Sequence, residues 1–122
     1  MQVISNELVV FWDVDETLVL HDPKYKQLPD FSSQIVDVID PYDKKNTRLG
    51  IHQIHKKILK DHKERGYTVI VWSSNGHEWA EAIVKALEIE EYVDFCMTKP
   101  TKFFDDLPAA EVLGQRVYIP HE

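Results

Sequence analysis

Acidic side chains follow the first apolar stretch of this 122-residue chain, at the point where a strand would end. Val9–Trp12 is typical of a strand buried on both faces, and Asp13 and Asp15 come directly after it. In extended chain, residues two apart project to the same side, so the two carboxylates would lie roughly 6 to 7 Å apart at about 3.3 Å per residue. One pocket can hold both acids, although a strand-end Asp can also cap a following helix.

A serine-rich turn follows a second apolar stretch. Tyr67–Trp72 predicts a buried strand, and Ser73–Gly76 leads directly into a helix. The hydroxyl, the backbone N–H groups and the positive end of the helix dipole would point to one place, which favours binding of an anion. The same turn can instead serve only as a cap, with Asn75 as the capping residue and Glu78 three positions on. The buried face of this helix is predicted to consist of Trp79, Ala80, Ile83 and Leu87.

A third set of acids stands near the C-terminal end of the sequence. Thr101–Phe104 predicts a short strand, and Asp105 and Asp106 follow it. Two adjacent carboxylates repel each other unless a cation lies between or beside them, so this pair indicates a metal site. One of the two can alternatively cap a short helix that Pro108 opens and Gly114 ends.

Together these segments resemble the four motifs of the haloacid dehalogenase-like (HAD) superfamily of phosphotransferases, and they occur in the same order. Asp-Val-Asp-Glu-Thr-Leu at 13–18 is similar to the first motif, Ser73 to the second, Lys99 before a proline to the third, and Asp105 with Asp106 to the fourth. The resemblance covers about residues 8–119. Two departures from the family pattern are the short interval between the third and fourth motifs and the lack of room for a separate cap domain.

The resemblance implies a role for each of these residues. Asp13 would attack phosphorus and form an aspartyl-phosphate, and Asp15 would act as general acid and then as general base. Lys102 is a rival to Lys99 for the third motif, but its position better fits the start of the next strand. The residues expected to hold phosphoryl oxygens or to neutralise their charge are Ser73, Ser74, Asn75 and Lys99.

A magnesium ion is the cofactor that the resemblance implies. The carboxylates of Asp13 and Asp105 and the backbone carbonyl of Asp15 would bind it, with Asp106 as an alternate ligand or as support for one. An acid at position 15 favours a phosphatase or phosphomutase over the ATP-driven pumps and dehalogenases of the superfamily. Without a cap to exclude water, hydrolysis is the expected outcome. We therefore expect a Mg²⁺-dependent phosphomonoester hydrolase.

The fold expected from the pattern is α/β and Rossmann-like. It has three layers, with a central parallel sheet covered by helices on both faces, and residues 1–122 form a single HAD-like domain without a cap. A last strand is expected over Arg116–Ile119. Residues 21–49 interrupt the first strand-to-helix connection and predict a β-hairpin flap, with one strand over Gln34–Asp40 and the other over Thr47–Leu49. An amphipathic helix is expected from Gly50 to Gly66, with Ile51, Ile54, Ile58 and Leu59 on its apolar face.

Charge and composition narrow the possible partners. The net charge of −7 argues against loose binding to nucleic acid or to an anionic membrane. Residues 44–66, however, hold eight Lys or Arg and only two acids, which can either steer a polyanionic substrate or form a solvated surface. The expected substrate is therefore a phosphorylated molecule, such as a nucleotide or a phosphorylated nucleic-acid end. The alternatives are a small-metabolite (sugar phosphate) phosphatase and a catalytically idle domain that binds a phosphorylated partner.

Other features predict no further chemistry. Cys96, the single cysteine, lies among apolar residues and is interpreted as a core side chain, not a redox group. His52, His55 and His62 lack the spacing of a zinc site. No stretch approaches the roughly 20 apolar residues of a membrane span, so a cytoplasmic protein without a membrane partner is expected. The sequence leaves the oligomeric state open.

Overall fold

Strands and helices alternate along residues 7–120, which are the residues that the computed structural model describes. The six strands are β1 (Val9–Asp13), β2 (Val19–Leu20), β3 (Ile35–Ile39), β4 (Asn46–Ile51), β5 (Thr68–Ser73) and β6 (Phe95–Thr98). The three helices are α1 (Gln53–Glu64), α2 (His77–Ala86) and α3 (Ala109–Val112), and short 3₁₀ helices cover Lys24–Gln27, Phe31–Ser33 and Glu90–Tyr92.

A parallel sheet lies at the centre of the fold, in the strand order β1-β5-β6. Asp13 at the end of β1 is paired with Trp72, and Ser73 at the end of β5 is paired with Thr98. The three strands therefore reach the same level before they end, and the polar residues that follow them share one edge of the sheet. The expected mixed α/β fold with a central parallel sheet is confirmed, and its layout is consistent with a Rossmann-like one.

One face of this sheet carries the main core. Trp12, Val69 and Val71 alternate with residues on the other face, and they pack with buried residues of both α1 and α2. Such an arrangement is expected of two right-handed crossovers that step in the same direction along a sheet. All four residues predicted for the apolar face of α2 are buried: Trp79, Ala80, Ile83 and Leu87.

The opposite face of the sheet is only partly covered. Val9 and Phe11 are 47% and 40% exposed, and Phe95 is 62% exposed, although Phe11 stacks on Trp72 with ring centroids 4.3 Å apart. The prediction that Val9–Trp12 is buried on both faces was therefore wrong, because among residues 7–120 only one face of β1 is fully covered. A helix layer on each face, as expected for three layers, is not seen in this part of the chain.

The flap prediction is confirmed by a second, antiparallel sheet in the order β2-β4-β3. β3 and β4 form the hairpin, with Ile35 paired to Gly50 and Ile39 to Asn46. β4 runs on to Ile51 and pairs with β2, so Gly50 and Ile51 belong to a strand and not to the helix predicted there. A side chain at position 50 would overlap Tyr25, which explains the glycine.

Two strands predicted near the C-terminal end are absent. Neither Thr101–Phe104 nor Arg116–Ile119 pairs with another strand among the described residues, and Phe104 is 94% exposed. Apolar composition alone predicted these strands, but a strand also needs a partner edge to pair its backbone groups. The short helix predicted after Pro108 does form, as α3.

None of the helices described between residues 7 and 120 is long and apolar enough to cross a membrane.

Candidate active site

Asp13, the last residue of β1, is held by two side chains. Lys99 Nζ lies 2.9 Å from Asp13 Oδ1, and Thr17 Oγ1 donates to Asp13 Oδ2 at 2.9 Å. The chain turns back after Asp15, with Glu16 in the left-handed region at φ 66°, and this turn returns Thr17 to the end of β1. A carboxylate with one oxygen on a cation and one on a hydroxyl is fixed in orientation, and its lone pairs remain available to an electrophile.

Asp15 has a different and fuller set of partners. Its Oδ1 lies 2.8 Å from His21 Nε2 and accepts from Trp79 Nε1 at 3.1 Å. Its Oδ2 accepts from Asn75 Nδ2 at 2.9 Å and, at the longer distance of 3.4 Å, from Ser73 Oγ. Residues from the flap, from the turn after β5 and from α2 thus converge on one carboxylate.

The turn between β5 and α2 places the remaining predicted residues. Ser73 is fully buried, and its Oγ accepts from the N–H of Asn75 at 2.9 Å. The N–H of Lys99 donates to the Ser73 carbonyl at 2.9 Å, which positions the lysine beside Asp13. Ser74 is exposed in the turn. The structure therefore brings Asp13, Asp15, Ser73, Asn75 and Lys99 together.

The predicted capping role of Asn75 was wrong. Gly76, at φ 104°, is the N-cap of α2 and no side chain caps the helix there, because the Asn75 amide is used on Asp15. The N–H of His77 finds its acceptor in Thr98 Oγ1 at 2.9 Å. The start of α2 is thus tied to the end of β6, beside Lys99.

Asp105 and Asp106 lie outside this arrangement. Both are exposed, and Asp105 Oδ1 accepts from the N–H of Leu107 at 3.0 Å. Residues 7–120 contain no group of three His, Cys, Asp or Glu side chains that could hold a metal ion. Mg²⁺ is commonly held by one or two carboxylates together with substrate phosphate and water. The oxygen donors of Asp13 and Asp15 suit it in type, while the predicted third ligand is not beside them.

Two histidines contact the loop that follows β1 and holds Thr17. The sequence led us to consider them only as metal ligands. His52 and His55 stack with ring centroids 3.8 Å apart, and both are buried. His55 Nδ1 lies 2.8 Å from the Thr17 carbonyl oxygen, so it carries the proton. Its Nε2 then accepts from the N–H of Ile119 at 2.9 Å, and His52 Nε2 lies 2.9 Å from the Ile119 carbonyl. The neutral form of His55 is the one that satisfies both of its contacts.

Burial lowers the pKa of two histidines of α1, His55 and His62. It lowers the pKa of His55 below the usual 6.5, although the Thr17 carbonyl opposes this. Burial also lowers the pKa of His62. Cys96 is half-buried, and burial raises the pKa of its thiol to about 11, which agrees with its interpretation as a core side chain.

A cavity of about 220 Å³ opens beside Asp15. Its wall is formed by Asp15 and Trp79 on the side of the parallel sheet and by the flap on the other. The flap residue Tyr42 lies so close to Gly76 that a Cβ at position 76 would overlap its hydroxyl. The flap therefore covers the start of α2. The flap residues that line the cavity are Asp40, Tyr42 and Thr47, along with His21.

The basic stretch 44–66 contributes only Thr47 to this wall. Arg48 pairs with Asp37 across the hairpin at 3.0 Å, and Lys44 Nζ donates to the Pro41 carbonyl. Lys63 pairs with Asp94 at 2.8 Å, and this ion pair holds the pKa of Asp94 below its usual value. Three of these cations are thus used in contacts away from the cavity.

Comparison with models of protein families, with curated proteins and with solved structures finds no match to this chain. The class that the structure itself defines is a mixed α/β protein with a central parallel sheet of three strands. The residues of the candidate site lie at the carboxyl ends of those strands, which is where open α/β sheets bind their ligands.

Proposed function

We propose that this protein is a Mg²⁺-dependent phosphomonoester hydrolase of the HAD-like type that acts through an aspartyl-phosphate on Asp13. The observation that supports this most is the arrangement at the end of β1, where Lys99 contacts Asp13 and Ser73 contacts Asp15. One carboxylate is thereby paired with an ammonium group, and the other lies among the side chains of Ser73, Asn75, Trp79 and His21. Two carboxylates with different surroundings are what a nucleophile and an acid–base group require.

Phosphate monoesters are among the slowest biological substrates to hydrolyse unaided, and enzymes accelerate their hydrolysis by up to about 10²¹. In the first proposed step, Asp13 attacks phosphorus, and the bond from phosphorus to the alcohol oxygen breaks. Asp15 donates a proton to that oxygen as it leaves. The Lys99 ammonium reduces the repulsion between the Asp13 carboxylate and the phosphate dianion, and Thr17 holds the carboxylate in place.

In the second step, Asp15 takes a proton from a water molecule that attacks the phosphoryl group. The bond from phosphorus to Asp13 breaks, and inorganic phosphate leaves with the Asp13 carboxylate restored. Ser73 and the backbone N–H of Ser74 would orient the phosphoryl oxygens. A bound Mg²⁺ would neutralise phosphoryl charge, with Asp13 and the carbonyl of Asp15 as the ligands at this site and Asp105 or Asp106, which lie outside it here, as the further ligand that the resemblance implies.

A binding module without turnover is the second candidate, and the exposed position of Asp105 and Asp106 favours it. In that case the site would hold a phosphorylated partner through Ser73, Asn75 and Lys99. The two candidates differ in one result, because only an enzyme releases inorganic phosphate.

The test is hydrolysis of para-nitrophenyl phosphate with and without Mg²⁺. We expect Mg²⁺-dependent turnover that falls by about 10³-fold or more in Asp13→Asn, since the nucleophile is lost. Asp61→Asn is the matched control, because Asp61 pairs with Arg65 on the surface of α1 at 3.0 Å. Turnover in Asp13→Asn equal to that of the wild type would contradict the proposed nucleophile. Binding of phosphate by the wild-type protein without any turnover would favour the binding module.

A further inference from the structure

The cavity beside Asp15 has the position of a leaving-group site, given the proposed function on which this inference rests. A general acid must lie within hydrogen-bond reach of the oxygen that it protonates. The alcohol part of the substrate therefore has to extend from Asp15, and the cavity begins at that residue. Its volume of about 220 Å³ suits a compact group, such as one aromatic ring.

The charge of the cavity wall is negative. Asp15 and Asp40 line it, together with His21, whose Nε2 lies 2.8 Å from Asp15 Oδ1, and none of the described residues lining it is Lys or Arg. Two nearby cations of the flap contact other groups, since Arg48 pairs with Asp37 at 3.0 Å and Lys44 Nζ donates to the Pro41 carbonyl. An anionic leaving group would meet two carboxylates in this space and no ammonium or guanidinium group, since the nearby His21 ring is already paired with Asp15. The wall thus disfavours the polyanionic substrates that the basic stretch 44–66 first indicated.

Asp40 has one carboxylate oxygen to offer. Its Oδ1 accepts from the N–H of Tyr42 at 2.8 Å and from that of Asp43 at 3.4 Å, which shapes the hairpin turn. Its Oδ2 has no hydrogen-bond partner among residues 7–120. The backbone contacts hold this second oxygen in a fixed place, so it can act as a preformed acceptor for an ammonium or hydroxyl group.

Aromatic rings supply the other part of the surface. Tyr42 lies over Gly76, and Trp79 is held at the cavity by its hydrogen bond to Asp15. Aromatic faces bind flat or apolar groups and also attract cations. We infer that the flap cavity selects phosphomonoesters whose alcohol part is compact, uncharged or cationic, with Asp40 as the specificity-determining residue.

The experiment compares three aryl esters of similar size that differ in the charge opposite the phosphate. They are para-aminomethylphenyl, para-methylphenyl and para-carboxyphenyl phosphate. We expect kcat/KM to fall in that order. The value for para-aminomethylphenyl phosphate should exceed that for para-carboxyphenyl phosphate by about tenfold or more, which corresponds to about 1.4 kcal/mol. The terminal phosphate of an oligonucleotide should be hydrolysed more slowly than para-methylphenyl phosphate.

Asp40→Asn should lower the ratio of kcat/KM for para-aminomethylphenyl phosphate to kcat/KM for para-methylphenyl phosphate towards 1. Asparagine keeps an oxygen for the turn, so the hairpin should still form. Asp43→Asn is the matched control, since it removes the same charge from a residue of the same turn, three positions further along, that does not line the cavity. It should preserve the preference.

Several outcomes would overturn the inference while leaving the proposed function intact. One is hydrolysis of all three esters with para-carboxyphenyl phosphate preferred. The others are an Asp40→Asn variant that keeps the wild-type preference, and hydrolysis of the oligonucleotide faster than that of para-methylphenyl phosphate. No hydrolysis of any ester by the wild-type protein would instead contradict the proposed function, and this inference with it.

Discussion

His55 and Thr17 connect the C-terminal part of the chain to the loop that follows β1. His55 Nδ1 lies 2.8 Å from the carbonyl oxygen of Thr17, and the hydroxyl of Thr17 donates to Asp13 at 2.9 Å. On its other side, His55 accepts the N–H of Ile119 at 2.9 Å. The orientation of the proposed nucleophile is thus linked, through two residues, to a segment about a hundred positions further along the chain.

The first prediction separates the two contacts of His55. The amide nitrogen of asparagine can replace Nδ1 and keep the Thr17 contact, whereas the amide oxygen of glutamine reaches the position of Nε2, where it can accept from the N–H of Ile119. We therefore expect His55→Gln to lower kcat for para-nitrophenyl phosphate more than His55→Asn does. Both variants leave a buried group unpaired, at a cost of roughly 1 to 3 kcal/mol in the free energy of unfolding.

Stability is measured in the same preparations by urea unfolding, so that loss of folded protein is not read as loss of kcat. If the two variants lose equal activity at equal folded fraction, His55 supports the fold and does not position Asp13. A larger loss in the asparagine variant would contradict the proposed link through Thr17.

The second prediction concerns pH, through the lowered pKa of His55. The folded protein keeps His55 neutral, whereas the unfolded chain takes up a proton near pH 6.5. The contribution to stability is therefore fully present above that pH and is lost as the pH falls through 6.5 towards the lowered pKa of the folded state. His62, whose pKa is also lowered by burial, acts in the same direction.

Urea unfolding between about pH 8 and pH 5 checks this, with a limiting slope of about 1.4 kcal/mol per pH unit for one proton. His55→Asn should show a smaller fall in the free energy of unfolding over that range than the wild type. A wild-type protein whose stability rises as the pH drops from 7 to 5.5 would contradict the neutral state assigned to His55.

The residues at the carboxyl ends of the strands could be predicted because their signals are local. Asp13, Ser73 and Lys99 each stand at or just after the end of an apolar stretch, and parallel pairing places those ends at one edge. The role of His55 could not be predicted in this way. Its partners lie 38 and 64 positions away, and nothing in the spacing of helix residues indicates them.

The sequence predictions that were wrong have a common physical cause. A local pattern of residues does not indicate which distant residues a segment contacts. Asn75 has the composition of a helix cap, but a distant carboxylate, Asp15, takes its amide instead. Thr101–Phe104 is apolar enough for a strand, yet it pairs with no strand among the described residues. Gly50 and Ile51 fit the period of a helix, but they pair with β2 and therefore belong to a sheet.

The third prediction concerns Asp15. Asparagine at this position can neither donate a proton to the leaving oxygen nor take one from water, but a nitrophenolate leaves without protonation. We expect Asp15→Asn to form the aspartyl-phosphate and to hydrolyse it slowly, so that phosphoenzyme accumulates. Intact-mass measurement after mixing with substrate would detect the added phosphoryl group, and Asp13→Asn is the control that should never carry it.

Asp15→Asn also has a structural cost, which must be separated from the chemical one. The carboxylate accepts from His21 and Trp79 on one oxygen and from Asn75 on the other, and an amide can satisfy only one of these sides. Ala in place of Asn75 therefore serves as a comparison, because it removes one donor and leaves the acid in place. Phosphoenzyme in neither Asp15→Asn nor the wild type would argue against a covalent intermediate.

The last prediction concerns the metal and the exposed acids after residue 104. Asp105 is held by its contact with the N–H of Leu107 at 3.0 Å, which fixes one oxygen and leaves the other to a ligand. If the segment after residue 100 brings Asp105 to the metal, as the resemblance implies, Asp105→Asn should raise the Mg²⁺ concentration needed for half-maximal activity far more than Asp106→Asn does. Loss of a group that only supports a ligand typically costs about 10- to 100-fold in metal affinity, and loss of a ligand should exceed that. The measurement is a Mg²⁺ titration of para-nitrophenyl phosphate hydrolysis, with Asp94→Asn, on the far side of β6, as a control that should not shift the midpoint. A larger shift in Asp106→Asn would assign the ligand to Asp106, and unchanged midpoints in both variants would show that Asp13 and Asp15 bind Mg²⁺ without either acid.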